Sequence, residues 1–164
     1  MTALPELQLE VRPEGAGATC RRVLDTLPTW FGLPASVEDY VAKADAQPTV
    51  VATLDGRDVG ILTLVTHTPY AAEVYVMGVD AEHRRQGIGH TMLEHAETWL
   101  QERDIEYLQV KTLSPRHPDP GYVETRAFYL ANGFRPLEEF PELWGSDQPA
   151  LQMVKTLTSR LARP

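Results

Sequence analysis

The chain has little basic charge, almost no cysteine and no long apolar run. Its 15 Lys and Arg against 23 Asp and Glu leave a formal net charge of -8 over 164 residues. Nucleic-acid binding draws most of its affinity from cations that neutralise phosphates, so a polyanionic partner is not expected. A small or cationic substrate suits the surface better. Cys20 is the one cysteine, so no intramolecular disulfide can form and no oxidising compartment is required. The Met1–Glu10 segment lacks the basic start and apolar core of a signal peptide, and no stretch approaches the roughly 20 apolar residues of a membrane span. A soluble cytoplasmic protein with no membrane partner is the expectation. His90 and His95 stand five apart, off a common helical face, and no His-Glu-x-x-His pair or Gly-x-Ser-x-Gly elbow occurs. No metal is expected.

What is present is an ordinary globular composition, 43% hydrophobic and 23% charged. That supports one α/β domain with a sizeable core, and two full domains would be a tight fit. Leu7–Arg12 alternates as a first strand. Cys20–Leu27 and Val37–Ala46 read as short helices, the second with Ser36 as its cap. Between them, Trp30-Phe31-Gly32-Leu33-Pro34 is a loop, either an apolar plug or a lid over a substrate pocket. Thr49–Leu54 and Arg57–Thr66 flank Asp55-Gly56, the strongest short signal for a type I′ hairpin. After a loop at His67–Tyr70, Glu73–Val79 is a strand, Ile88–Arg103 a helix and Leu108–Thr112 a strand. Met92, Leu93, Ala96, Trp99 and Leu100 share one face of that helix. Strand, helix and strand in succession predict a parallel pair with a right-handed crossover. Ser114–Gly121 reads as a loop, Thr125–Asn132 as a helix closed by Gly133, and Phe134–Leu137 and Ala150–Lys155 as final strands.

The segment from Val79 to His90 carries the most chemistry. A strand ends, Arg84 and Arg85 follow, and Gly87 and Gly89 open a helix. First-turn N–H groups lack internal partners and lie at the positive end of the helix dipole, so they attract anions. Asp and Glu, which favour a first turn, are absent from Gly87–Thr91. A diphosphate suits such a site; the other reading of the pattern is a glycine-opened helix with solvated arginines. The segment has neither the third glycine and downstream acid of a dinucleotide fold nor the Lys-Ser/Thr ending of a P-loop.

On the preceding strand, Glu73, Tyr75 and Met77 project to one face by period-two alternation, while Phe128 and Tyr129 end the later helix. Acylation of an amine by a thioester needs a deprotonated amine, a polarised carbonyl and a proton for the leaving thiolate. Tyr129 can give that proton. Glu73 can receive one, but an ordinary carboxylate near ~4.3 faces a gap of about 6 pH units to an ammonium near ~10.4, so relay through water or binding of the cationic amine is the better role. Backbone N–H groups near Gly78 and Val79 suit the thioester oxygen if the strand is irregular there.

Arg84, Gly87 and Gly89 match the phosphate-loop signature of the GNAT superfamily of acyl-CoA-dependent N-acyltransferases. The run Tyr122–Phe134, closing in Asn132-Gly133-Phe134, resembles the family's second hallmark, and the resemblance spans roughly Val50–Lys155. It implies a mixed, twisted α/β sheet of six to seven strands with helices on both faces and central strands splayed by a β-bulge. A single domain is implied, with variable acceptor-side helices over 1–48, the sheet and phosphate loop over 49–113, and the last helix and strands over 114–164. It implies acetyl-CoA as acyl donor, Met77, Gly78 and Val79 against pantetheine, and Arg84, Arg85, Gln86, Gly87, Ile88, Gly89 and His90 around the pyrophosphate, with Phe128 also on the coenzyme. Tyr129 falls at the usual acid position and Glu73 at a frequent base position. Trp30, Phe31 and Tyr75 fall near the acceptor, a small-molecule or peptide amine attacked in a ternary complex. Relatives commonly form homodimers. A second reading keeps the cradle without the reaction, as an acyl-CoA-binding sensor.

Overall fold

The alternation of Leu7–Arg12 does form a strand, β1, in the computed structural model, which describes residues 6–157. Residues 1–5 of the segment read for a leader lie outside the described residues. Next come α1 (Gly17–Asp25), α2 (Pro34–Ala46), β2 (Thr49–Leu54), β3 (Arg57–Thr68), β4 (Ala71–Val79), α3 (Ile88–Gln101), β5 (Tyr107–Leu113), α4 (Pro120–Ala131), β6 (Arg135–Phe140) and β7 (Ala150–Thr156). The seven strands form one mixed sheet in the order β1-β2-β3-β4-β5-β7-β6.

Contacts divide the chain into two compact units, one running to Val65 and including Tyr75–Trp99, the other made of Thr66–Val74 and Leu100 onward. In the first unit, β1 pairs antiparallel with β2 and β2 with β3. Asp55 and Gly56 both have positive φ, 51° and 80°, as a type I′ turn demands. The register shifts between Ala52 and Thr53, which face Gly60 and Asp58, so the extra residue, Val59, bulges from β3. Cys20, Val23 and Leu24 of α1, with Leu27 just beyond it, pack with Ala44, Val51, Ile61 and Val76 in one core cluster. Gly78 lies under α1, where an added Cβ would stand 3.1 Å from Leu27 Cδ1. The glycine therefore has a packing reason as well as a place in the strand. Met92, Leu93, Ala96 and Leu100 of α3 are fully buried as the periodicity requires, whereas Trp99 is only half-buried.

Three helices start earlier than the sequence reading has them, α1 at Gly17 and the other two on proline. Pro34 is the first residue of α2, with Leu33 extended at the cap (φ -93°, ψ 111°) and no side-chain cap hydrogen bond. Ser36 thus sits inside the first turn, where its N–H donates to the Leu33 carbonyl at 3.1 Å, and is not the cap. Pro120 likewise opens α4, capped by Asp119, whose Oδ1 accepts from Gly121 N at 2.8 Å. Proline suits a first helical position because its φ is preset and its missing N–H would have no partner there.

In the second unit β4 runs parallel to β5, with registered pairs from Ala71↔Tyr107 to Val74↔Val110. β5 pairs antiparallel with β7, and β7 with β6, which carries a register shift at Pro136/Glu138. Phe134 is fully buried, a burial whose removal by truncation to alanine typically costs about 3–5 kcal/mol.

Candidate active site

The loop that leads into α3 is held from its start. Asp80, 4% exposed, donates its N–H to the Val59 carbonyl at 2.8 Å. Its Oδ1 accepts from Glu82 N at 3.0 Å and its carbonyl from His83 N at 2.8 Å. These bonds shape a short 3₁₀ turn, Ala81–His83, that delivers the chain to Arg84. Arg84 is extended (φ -68°), then Arg85 and Gly87 take left-handed φ values of 65° and 81°. Alternation of this kind turns backbone N–H groups toward a common side, an arrangement suited to anions. Nothing lies within 4 Å of where a Cβ on Gly87 would stand. Gly87 therefore answers to its backbone angle and leaves open space at the mouth of α3. Ile88 is buried and Thr91 bonds back to the Gly87 carbonyl through N–H at 3.1 Å and Oγ1 at 2.9 Å, fixing the first turn. The first turn holds no acid. His90 is exposed and its Nε2 lies 3.2 Å from Glu94 Oε1 one turn on.

The aromatic residues expected near the acceptor separate into two sets. Phe31 meets Tyr40 edge-on at 5.7 Å and Tyr40 meets Tyr75 at 6.0 Å between ring centres. The Tyr75 hydroxyl donates to Asp39 Oδ2 at 2.5 Å, and Lys43 Nζ stands 5.2 Å over the Tyr75 ring. Asp39 and Lys43, one helical turn apart, thus both address Tyr75 from α2. Trp30 instead stacks with Arg84, 4.2 Å from guanidinium carbon to ring centre. Sequence reasoning had no means of naming Asp39, Tyr40 or Lys43, because no local pattern says which strand residue a helix will cover.

In the second unit Glu73 is buried, 6% exposed, and is not a solvated charge at a strand start. Its Oε1 lies 2.6 Å from His67 Nε2 and 3.2 Å from Lys111 Nζ, which also reaches Oε2 at 3.1 Å. The sequence reading put His67 in a loop, but it belongs to β3. Glu73 registers with Gln109 on β5, which sets Lys111 two residues along, on the same face. Gln152, opposite Lys111 on β7, donates to Gln109 Oε1. A buried carboxylate needs such a counter-charge, since an unpaired one costs several kcal/mol.

Tyr129 is 5% exposed and is held by the helix ending that Asn132-Gly133-Phe134 writes. Gly133 has φ 92°, its N–H donates to the Leu130 carbonyl at 3.2 Å, and Phe134 N–H donates to the Tyr129 carbonyl at 3.0 Å. This is the Schellman pattern, and its usual apolar contact is here the Tyr129–Phe134 ring pair at 5.4 Å. Phe128 packs on Tyr129 at 5.4 Å from the other side. Asn132 adds a side-chain bond to the Phe128 carbonyl at 2.8 Å.

The sequence matches the family model of the acetyltransferase (GNAT) domain over residues 45–136, and the chain belongs to the GNAT acetyltransferase family. No curated relative matches the sequence. Among solved structures, a GNAT-family protein from Desulfovibrio desulfuricans is similar at TM-score 0.81 and 15% identity, covering 93% of this chain and 100% of the other. The ribosomal-protein-S18-alanine N-acetyltransferase of Escherichia coli is similar at TM-score 0.73 and 15% identity, covering 93% and 95%. An aminoglycoside 6'-N-acetyltransferase complexed with coenzyme A is similar at TM-score 0.70 and 18% identity, covering 93% and 98%. Among the described residues no helix is long and apolar enough to cross a membrane.

Proposed function

We propose that this protein transfers an acetyl group from acetyl-CoA to the primary amine of a small molecule or peptide by direct attack in a ternary complex. The observation that carries the reading is the loop entering α3, where left-handed Arg85 and Gly87 precede an acid-free first turn. Arg84 to His90 bind the pyrophosphate, with Gly87 admitting a phosphate against bare backbone and Arg84 and Arg85 supplying charge. Met77, Gly78 and Val79 follow the last registered β4–β5 pair, Val74↔Val110, and their backbone groups pair with the pantetheine arm, on which Phe128 packs. A related fold that binds coenzyme A supports this use of the scaffold.

Acetyl-CoA, when bound, supplies the activated thioester. Tyr129 donates its hydroxyl proton to the leaving sulfur. The acceptor's proton leaves on the Glu73 side. Phe31, Tyr40 and Tyr75 with Asp39 offer the acceptor aromatic faces and an acidic group, which with the net charge of -8 favours a cationic amine. Trp30 contributes through its hold on Arg84. A cytoplasmic setting, where acetyl-CoA is available, goes with this reading.

The test is a titration of coenzyme A into the folded protein, followed by a broad amine screen with acetyl-CoA and longer acyl-CoAs read as thiol release. Heat on titration and release with some amine are expected. Heat without release from any amine identifies a sensor domain, and absence of heat removes the reading altogether.

A further inference from the structure

The Glu73 side of the site contains a group that neither sequence hallmark assigns. We propose that Nδ1 of His67 is the atom that takes the proton from the attacking amine, with Glu73 and Lys111 as positioning residues behind it. The proposal rests on the acetyl-transfer reading above and names the base within it.

Glu73 is badly suited to be the terminal acceptor. It is 6% exposed, and both of its oxygens are engaged, Oε1 by His67 and Lys111 and Oε2 by Lys111. Lys111 also matches its charge, which leaves little pull on an incoming cation. The His67 side chain is 41% exposed against 8% for that of Glu73, so the imidazole is the reachable member of the pair. With Nε2 at 2.6 Å from the carboxylate, the ring donates its N–H there, and the neutral tautomer then carries its lone pair on Nδ1. Because Lys111 already neutralises Glu73, the carboxylate orients the ring without requiring an imidazolium. Among the described residues, His67 pairs with Glu73 from β4 and, through it, with Lys111 from β5.

The amine lone pair forms the new C–N bond, its N–H proton passes to His67 Nδ1, the C–S bond breaks, and the thiolate takes the Tyr129 hydroxyl proton. Exchange with water restores both side chains, so amine and acetyl-CoA give amide and free CoA.

Nitrogen-15 NMR of the histidine rings in the full chain tests the placement without any acceptor. At alkaline pH His67 is expected to carry its proton on Nε2 and a bare Nδ1, and Glu73→Gln is expected to shift those signals. A proton on Nδ1, or signals indifferent to Glu73→Gln, overturns the proposal. With acetyl-CoA and n-butylamine as the probe amine, His67→Gln is expected to lower kcat by about 10²-fold, to leave KM for acetyl-CoA and the heat of CoA binding unchanged, and to recover in part with added imidazole. An unchanged kcat overturns the proposal. Loss of CoA heat in the unaltered protein instead removes the acetyl-transfer reading, and if n-butylamine is not acetylated the ring spectra decide the base alone.

Discussion

The Arg84 guanidinium lies 4.2 Å from the centre of the Trp30 ring, so the loop after α1 and the loop before α3 share a contact. A cation over an indole contributes about 0.5–1 kcal/mol at an exposed site. Trp30→Ala is therefore expected to weaken coenzyme A binding about two- to fivefold by calorimetry, through a residue outside the loop proposed to hold the pyrophosphate. The effects of Trp30→Ala and Arg84→Ala should be less than additive. Strict additivity would mean the stacking does not bear on the coenzyme.

Gly87→Ala separates backbone angle from space. The site has room for a Cβ, yet φ is 81°, and a left-handed alanine costs roughly 1–2 kcal/mol. Coenzyme A affinity should drop about tenfold with little change in the circular dichroism of the fold. Unaltered affinity would show that the left-handed turn is dispensable for the ligand.

Tyr129→Phe keeps the ring contacts at 5.4 Å to Phe128 and Phe134 and removes only the hydroxyl. Coenzyme affinity should hold while kcat for a turned-over amine falls about 10²-fold or more. Turnover at the original rate would move the acid role elsewhere.

Asp58 predicts an acid limb of stability. Arg12 reaches its two oxygens at 3.1 and 3.2 Å, and the Thr19 and Thr53 hydroxyls donate at 3.0 and 3.1 Å. Burial works to raise this carboxyl, but those hydrogen bonds and the Arg12 charge outweigh it and hold it below its usual value. A carboxyl lowered on folding contributes stability that is fully present above the unfolded value, ~3.9, and is lost as pH falls through the folded one. Asp58→Asn should cost about 1–2 kcal/mol near neutrality, and the gap in melting temperature should narrow as pH falls below about 4. A gap that widens in acid would contradict the assignment.

Much of this was readable from local chemistry. Asp55-Gly56 announced its hairpin, the apolar stripe of α3 its buried face, and Asn132-Gly133-Phe134 the end of α4, because each depends on neighbours a few residues apart. Pro34 and Pro120 were misread as loop since a proline both ends and begins helices, and only its partners decide which. Arg84, Arg85 and Gly87 stood out through spacing. His67 and Lys111 did not: Lys111 meets Glu73 through the register of β4 against β5, strands separated by a whole helix, and His67 reaches it from the end of β3, a stretch that reads as loop. Asp39 was hidden for the same reason, its partner Tyr75 being 36 residues away in sequence.

The buried Cys20 has a practical consequence. Fully enclosed in the core, its thiol is pushed up to about 12 by burial, against a small opposing pull from Arg21. Thiolate, the form that attacks disulfide reagents, is then almost missing from the native chain. A chromogenic disulfide dye added to a running assay will count liberated coenzyme sulfhydryls and ignore the polypeptide. The same dye, in denaturant, should register one equivalent per chain, giving a built-in titre of intact protein.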